Sequence, residues 1–412
     1  MAKFKPDSGM NSETGPLDYI LVGGGLQSGL MALAIRHHQP HARLAIIEQG
    51  PQLAGNHTWS FHAGDIPAEC ADWVEPLVET RWPSYDILVG GRKRTINLGY
   101  RSISSRHFAA VIASKLETDH CQILTSTMAV ELTHNSVTLR DGRKLNATAV
   151  FDNCGPIRTE HPSHAGGYQK FWGFEVELDS DWPFANPVVM DDRVDQVDGF
   201  RFFYTLPFDR RRVLLEDTRF SNSPSINREE CLGNIKNYLQ QLGCPGWRII
   251  REETGVLPMP TAGSLPGSGL PTLQGGYRGG WFHAATGYSF AMGVAVAEIV
   301  AKTPTHELGE ALKRLGKAHA GRARFARFLN RLLFDLVKPQ KRYQIFRRFY
   351  SVLGENRIAR FYSHRFSFFD AFRIVVGMPP GGLRPINFLR SFVASRKYLE
   401  KKASVCVKGV PT

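Results

Sequence analysis

Three consecutive glycines, Gly23-Gly24-Gly25, stand between an apolar strand pattern (Tyr19, Ile20, Leu21, Val22) and an apolar-periodic helix pattern over 26–37. A second apolar run (Leu44, Ala45, Ile46, Ile47) follows and closes on an acid, Glu48. Strand, tight glycine turn, helix and terminal acid in that order form the fingerprint of a dinucleotide site. Gly23 and Gly25 allow the backbone to approach a pyrophosphate. The N–H groups and dipole at the helix N-terminus hold its charge, and the acid accepts hydrogen bonds from ribose hydroxyls. The third small position of the fingerprint holds Ser28, with Gly29 beside it, and serine is small enough for close helix–strand packing. This part of the chain is therefore expected to form a Rossmann-like α/β layer.

Composition limits the rest. At 412 residues, 42% hydrophobic and 22% charged, the chain has the make-up of a globular protein with two or three packed units. Its six cysteines are scattered and form no Cys-x-x-Cys pair, which argues against a disulfide framework or a zinc site and for a reducing cytosol. His57 and His62 have no acid or cysteine to complete a ligand set, so no metal is expected. Residues 1–16 read as a flexible leader without the apolar core of a signal peptide. The apolar stretch 281–301 contains His283 and Glu298 and reads as a buried helix rather than a bilayer span.

Charge is unevenly spread. Residues 301–412 carry 24 Lys and Arg against 6 Asp and Glu, whereas the first 300 carry 27 against 32. A near-neutral body with a basic tail suits an anionic surface. Phe325, Phe328, Leu329, Leu332, Leu333 and Phe334 alternate with the basic residues at helical spacing, which favours a membrane surface over nucleic acid. The expected location is cytoplasmic, peripheral to the inner face of the membrane.

Further along, Gly55-Asn56-His57-Thr58-Trp59-Ser60-Phe61-His62 is a polar loop interleaved with aromatics, and 85–89 and 94–98 alternate like short strands. A strand pattern ends on Asp152 and a glycine turn at Gly155. From about 171 to 216 the pattern is alternating and aromatic, as in an antiparallel sheet. Residues 225–242 read as a helix and 249–257 as a strand. Gly275-Gly276, Gly279-Gly280 and Thr286-Gly287 then punctuate a second strand-to-helix junction, and helices broken at Pro339 and at Pro379-Pro380 follow. A distant segment returning with its own glycine-rich junction is typical of FAD proteins, in which several loops clamp a long cofactor. The expected fold class is α/β: an FAD-binding, Rossmann-like fold of the glutathione-reductase type. Its cofactor domain comprises 17–170 and 256–305, a substrate sheet is inserted at 171–255, and a basic helical, membrane-associating region occupies 306–412.

With those residues in view, the chain resembles the bacterial lycopene beta-cyclase family almost end to end. The resemblance rests on the Gly55–His62 run, Met190-Asp191, Leu214-Leu215-Glu216-Asp217-Thr218, His283-Ala284-Ala285-Thr286-Gly287-Tyr288-Ser289 and Ala359-Arg360-Phe361-Tyr362. Ala284-Ala285 stand where the family usually has Pro-Thr. The resemblance implies an FAD enzyme, active with reduced flavin and supplied by NAD(P)H, that closes the ψ-ends of lycopene to β-ionone rings without net redox change, giving β-carotene through γ-carotene. It implies that Gly23, Gly25, Gly29 and Glu48 bind the ADP half of FAD. Thr286, Gly287 and Tyr288 would lie along the flavin or pyrophosphate, and Arg106 and Asp152 would serve the same cofactor. The acidic motif holding Glu216 would serve cyclisation.

The chemistry starts with protonation of an unactivated alkene, so it needs an acid beside an apolar pocket and negative charge or π-faces for the cation. Phe200, Phe202, Phe203, Tyr204, Trp172 and Phe174 are candidate π-faces. Glu216 and Asp217 are the candidate catalytic acids. Strand alternation points them to opposite faces, and Glu216 is the one expected to meet substrate, as proton donor or final base. A competing reading is a flavoprotein oxidoreductase of the same fold, either a prenyl-chain reductase or a monooxygenase. Against the latter, Trp281-Phe282-His283-Ala284 stands where aromatic hydroxylases normally place Gly-Asp-Ala. A non-catalytic lipid carrier would have no use for an acid at Glu216.

Overall fold

In the first sheet, the strand Leu17–Val22 is buried along nearly its whole length, as a central parallel strand must be when helices cover both faces. Parallel partners lie on both sides, in the order Cys121–Leu124, Leu44–Ile47, Leu17–Val22, Lys144–Asp152, with Leu273–Gln274 parallel at the end of the last. Two antiparallel strands, Ser136–Leu139 and Ala129–Leu132, complete the sheet. Val22 pairs with Ile47 and with Asp152, so Gly23, Glu48 and Asn153 leave the sheet side by side at its carboxyl edge. The computed structural model describes residues 17–155, 166–263, 272–376 and 383. The leader at 1–16 and the break at Pro379-Pro380 lie outside the described residues.

The helix Leu26–His38 starts at Gly25 and packs on the helix Phe290–Lys302, which brings the returning segment onto the glycine turn. Gly293 makes this approach possible: a Cβ there would sit 3.0 Å from Leu30 Cδ1.

The second sheet runs in the order Trp247–Met259, Gly167–Leu178, Arg212–Ser221, Phe200–Pro207, Val188–Asp191, Tyr85–Val89, Arg92–Ile96. It is larger than the insertion expected at 171–255. It spans 167–259 and takes in two strands from the first unit, one of them parallel to Val188–Asp191. Local alternation identifies a strand but carries nothing about which sheet it joins, because partner choice is tertiary. A small third sheet, Thr58–His62, Tyr100–Ser104 and Thr80–Trp82, forms from chain lying between the first-sheet strands Leu44–Ile47 and Cys121–Leu124 in sequence.

One face of the second sheet is covered by the helix Arg228–Gln241, capped by Asn227, through a core of Phe174, Val176, Phe203, Leu215, Ile235 and Leu239. The other face looks toward the carboxyl-terminal helices Leu308–Arg331, Tyr343–Val352, Glu355–Tyr362 and Phe368–Val375. Up to residue 376, this basic region packs against the body. Arg342 is fully buried and donates to the carbonyls of Leu333, Phe334 and Phe220, while Phe334 lies against Gly167, where a Cβ would come within 2.2 Å of its ring. Among the described residues, no helix is long and apolar enough to cross a membrane.

Candidate active site

The glycine turn forms a ready cradle. Gly23 has φ +94°, a left-handed conformation that disfavours any side chain, and a Cβ there would also strike Asn153 and Cys154. A Cβ on Gly25 would meet nothing within 4 Å, so space lies open before the helix N-terminus, as a pyrophosphate requires. Glu48 accepts from the Gly24 N–H at 2.7 Å and from the Gly50 N–H at 2.6 Å, holding its carboxylate at the crevice where a ribose diol would bind. Asp152 pairs with Arg278 at 3.2 Å, and Gly275 passes directly over Asn153 and Gln27, closing the crevice from the far side. These residues fit a dinucleotide.

Two expected cofactor residues have other surroundings. Ser28 is fully buried and faces away from the open cradle: its hydroxyl donates to the Gly23 carbonyl and accepts from Asn153 Nδ2 at 2.9 Å. The packing role expected at the third small position belongs to Gly29, where a Cβ would sit 2.2 Å from Phe108 Cζ. Arg106 is exposed in the first turn of the helix Ser105–Lys115. Thr286, Gly287 and Tyr288 precede the helix Phe290–Lys302 and line a large cavity between the crevice segments, the second sheet and the carboxyl-terminal helices. Their turn needs no proline: His283 N donates to Tyr288 O, Gly287 N to His283 O, and Asn330 Nδ2 to Ala284 O at 2.7 Å.

The cavity measures about 890 Å³. Its walls are mostly aromatic and aliphatic: Trp59, Phe61, Tyr85 and Tyr100 on one side, Phe171, Phe202, Tyr204 and Phe220 on the sheet, and Phe346, Phe349, Phe361 and Tyr362 from the roof. Of the six candidate π-faces, only Phe202 and Tyr204 line it. Phe203, Trp172 and Phe174 belong to the opposite face, and Phe200 packs behind, stacked on Phe346. A period of two forbids neighbours such as Phe202 and Phe203 from sharing a face. Tyr100 and Tyr204 hydroxyls meet at 3.0 Å, Tyr350 and Tyr362 at 2.6 Å, and His62 meets Tyr85 at 3.1 Å. Burial raises the Tyr85, Tyr100, Tyr204 and Tyr362 phenols above their usual range and keeps them protonated.

One row across the second sheet carries the carboxyls. Tyr204, Glu216, Gly173 and Glu253 stand abreast on four adjacent strands. Gly173 bears no side chain, so Glu216 and Glu253 lean together above it: a Cβ there would lie 3.0 Å from Glu216 Cγ and 3.3 Å from Glu253 Cγ. Burial, then the charge of Glu253 and a hydrogen bond to it, pushes the Glu216 carboxyl well above the usual range, and Arg251 offsets this only in part. The Gly55–His62 motif anchors the second carboxylate. Thr58 Oγ1 donates to Glu253 Oε2 at 2.9 Å, and Arg251 donates to the same oxygen at 2.5 Å while also reaching Thr58, Asn56 and Glu175. Sequence reasoning missed Glu253. The available signal was acid-rich alternation in Arg251-Glu252-Glu253, but only strand pairing brings it to Glu216.

Asp217, the other candidate catalytic acid, lies on the face opposite Glu216, as strand alternation requires. It points to the far face, fully buried, and is taken up by Arg201 at 2.8 Å, Arg219 at 3.2 Å and Asn234 at 2.8 Å. It does not line the cavity. His57 and His62 both line the cavity, and no metal-binding cluster occurs among the described residues.

Crevice, inserted sheet and cavity together define a protein of the flavin-dependent oxidoreductase fold. A geranylgeranyl bacteriochlorophyll reductase-like protein from Thermoplasma acidophilum superposes with a TM-score of 0.59 at 12% identity, covering 87% of this chain and 95% of that one. The p-nitrophenol 4-monooxygenase PnpA of Pseudomonas putida does so with a TM-score of 0.57 at 14% identity, covering 87% and 96%. Within that fold the chain belongs to the lycopene cyclase family, whose model, described as lycopene cyclase protein, matches residues 18–387. The lycopene beta-cyclase of Pseudescherichia vulneris is 37% identical over 371 residues, covering 88% of this chain and 94% of that one. That of Pantoea ananas is 35% identical, covering 88% and 95%.

Proposed function

We propose that this protein is a lycopene beta-cyclase that binds FAD at the Gly23–Gly25 turn, Glu48 and the Thr286–Tyr288 segment and acts with the cofactor reduced by NAD(P)H. The observation that carries the reading is a buried, proton-holding carboxyl, Glu216, on the wall of an aromatic cavity that adjoins a dinucleotide crevice. Glu216 gives its proton to the terminal double bond of a ψ-end: the O–H bond breaks, a C–H bond forms and a tertiary cation results. Aromatic and aliphatic walls limit water around that cation, and the faces of Phe202, Tyr204 and their neighbours stabilise it. The next double bond attacks the cation and closes the ring, and loss of a ring proton restores a double bond. Atoms and electrons balance as an isomerisation. Reduced FAD supplies negative charge that offsets a cation, with no net electron transfer.

The rim supports a reading in which substrate enters from a membrane. Phe368 and Phe369 are each 79% exposed and Phe372 is 54% exposed, on a helix whose Ile374 and Val375 border the cavity together with Leu383. Exposed aromatics beside basic Arg373 suit insertion into an anionic interface, and a C40 polyene dissolved in the bilayer would enter there. The test is expression in a lycopene-accumulating bacterium. β-Carotene of unchanged mass is expected, without stoichiometric nicotinamide consumption. A product gaining oxygen or hydrogen would instead support the oxidoreductase reading.

A further inference from the structure

We infer that Glu253 is the second acid–base group of the reaction, taking the proton that ring closure releases and passing it along its hydrogen bond to Glu216. The inference deepens the cyclase reading and rests on it for the identity of the reaction.

Three observations carry it. Glu253 Oε1 is buried without a donor, while Oε2 is held by Thr58 and Arg251. The Glu216 carboxyl leans toward Glu253 over Gly173 and, when protonated, can satisfy Oε1. Arg251 sits on the Glu253 side of the pair, which assigns the negative charge to Glu253 and the proton to Glu216. Finally, both carboxyls line the cavity, one on each side of Gly173, and so face different points along a bound polyene end. Ring closure adds a proton at one carbon and removes one from another, which suits two groups better than one.

The cycle balances. Glu216 begins protonated and Glu253 anionic. Proton donation leaves two carboxylates facing a carbocation, and their mutual repulsion makes the pair an avid acceptor. Glu253 removes the ring proton as the C–H electron pair becomes the new double bond. The proton then returns to Glu216 through their direct contact, and no solvent proton is consumed per turnover.

The other charged or titratable groups facing the pair are Arg251 and Glu175, Tyr204 and Tyr100, and His57. The phenols are raised and His57 is lowered by burial, which leaves the Glu216 carboxyl to govern the pH response between. Activity needs Glu216 protonated, so kcat should fall along an alkaline limb as Glu216 loses its proton. Glu253→Gln should lower kcat about 100-fold or more. It should also move the alkaline limb to lower pH, because Glu216 loses a repelling neighbour. Glu253→Asp should restore part of kcat and part of the alkaline-limb position. Gly173→Ala, which keeps both acids but wedges a methyl between them, should shift the alkaline limb the same way.

These profiles are measured with purified FAD-loaded protein and lycopene liposomes under reducing, anaerobic conditions. Infrared titration of the carboxyl stretch in the resting protein provides a readout without turnover. One exchangeable protonated carboxyl is expected, titrating lower in Glu253→Gln and lost in Glu216→Gln. Wild-type kcat and alkaline limb in Glu253→Gln, or an infrared titration that Glu253→Gln leaves unmoved, would overturn the inference. Wild-type protein that makes no β-carotene would overturn the cyclase reading instead, and the infrared titration would still decide whether the pair shares a proton.

Discussion

Glu216 and Asp217 are adjacent in the chain yet inhabit opposite environments. Glu216 shares an apolar wall with another acid and keeps its proton, whereas Asp217 is surrounded by Arg201, Arg219 and Asn234. Their substitutions should therefore fail in different ways. Glu216→Gln removes the proton donor and should lower kcat about 10²–10⁴-fold while leaving the urea midpoint nearly unchanged. Asp217→Asn leaves two buried guanidinium groups short of a counter-charge and should cost about 3–5 kcal/mol of stability. The folded fraction of that variant should keep kcat within about tenfold, far above Glu216→Gln. Parallel denaturation and turnover measurements separate the two, and equal kinetic losses would contradict the assignment. The alternation that sets these side chains apart was legible from sequence. The partner carboxylate was not, because Glu253 lies 37 positions further on and meets Glu216 only through a third strand.

At the level of elements, glycine determines how closely segments approach. Gly29 lets Phe108 lie against the cofactor helix, and Gly173 lets two carboxyls meet. Gly29→Ala would push a Cβ into the Phe108 ring and should destabilise the protein by about 1–3 kcal/mol, as overpacking does. Because that helix carries the cradle at its N-terminus, the same variant should bind FAD more weakly, which fluorescence titration would detect. Unchanged affinity and Tm would show that the helix seats itself without this contact. Sequence reading located the helix well but left the packing role of the third small position to Ser28. Helical residues one position apart face about 100° away from each other, so a one-place ambiguity in the fingerprint decides which side chain meets the neighbouring helix.

For the whole molecule, the basic carboxyl-terminal region combines two tasks that its composition does not separate. Arg342 and Phe334 tie it to the second sheet, while Phe368, Phe369 and Phe372 project outward at the cavity rim. Replacing those three phenylalanines by serine should remove much of the binding to anionic vesicles in a sedimentation assay. It should also slow turnover of lycopene in liposomes more than turnover of detergent-dispersed lycopene, since each large side chain contributes roughly 1.5–3 kcal/mol on leaving water. Retained binding would assign attachment to charge alone and predict a steep loss with added salt.

The amino-acid sequence alone determined the dinucleotide turn, the order of the units and the face on which Glu216 lies. Each follows from local rules: glycine's freedom at φ +94°, the periods of helix and strand, and the charge preference of a helix N-terminus. Only the tertiary structure decided that strands at 85–96 join the second sheet, that the basic region roofs a cavity, and that Glu253, Arg251 and Thr58 gather around the Glu216 carboxyl. Those outcomes depend on which segments pair across long stretches of chain. Such pairings are selected by burial and register in the assembled molecule, which no local pattern encodes.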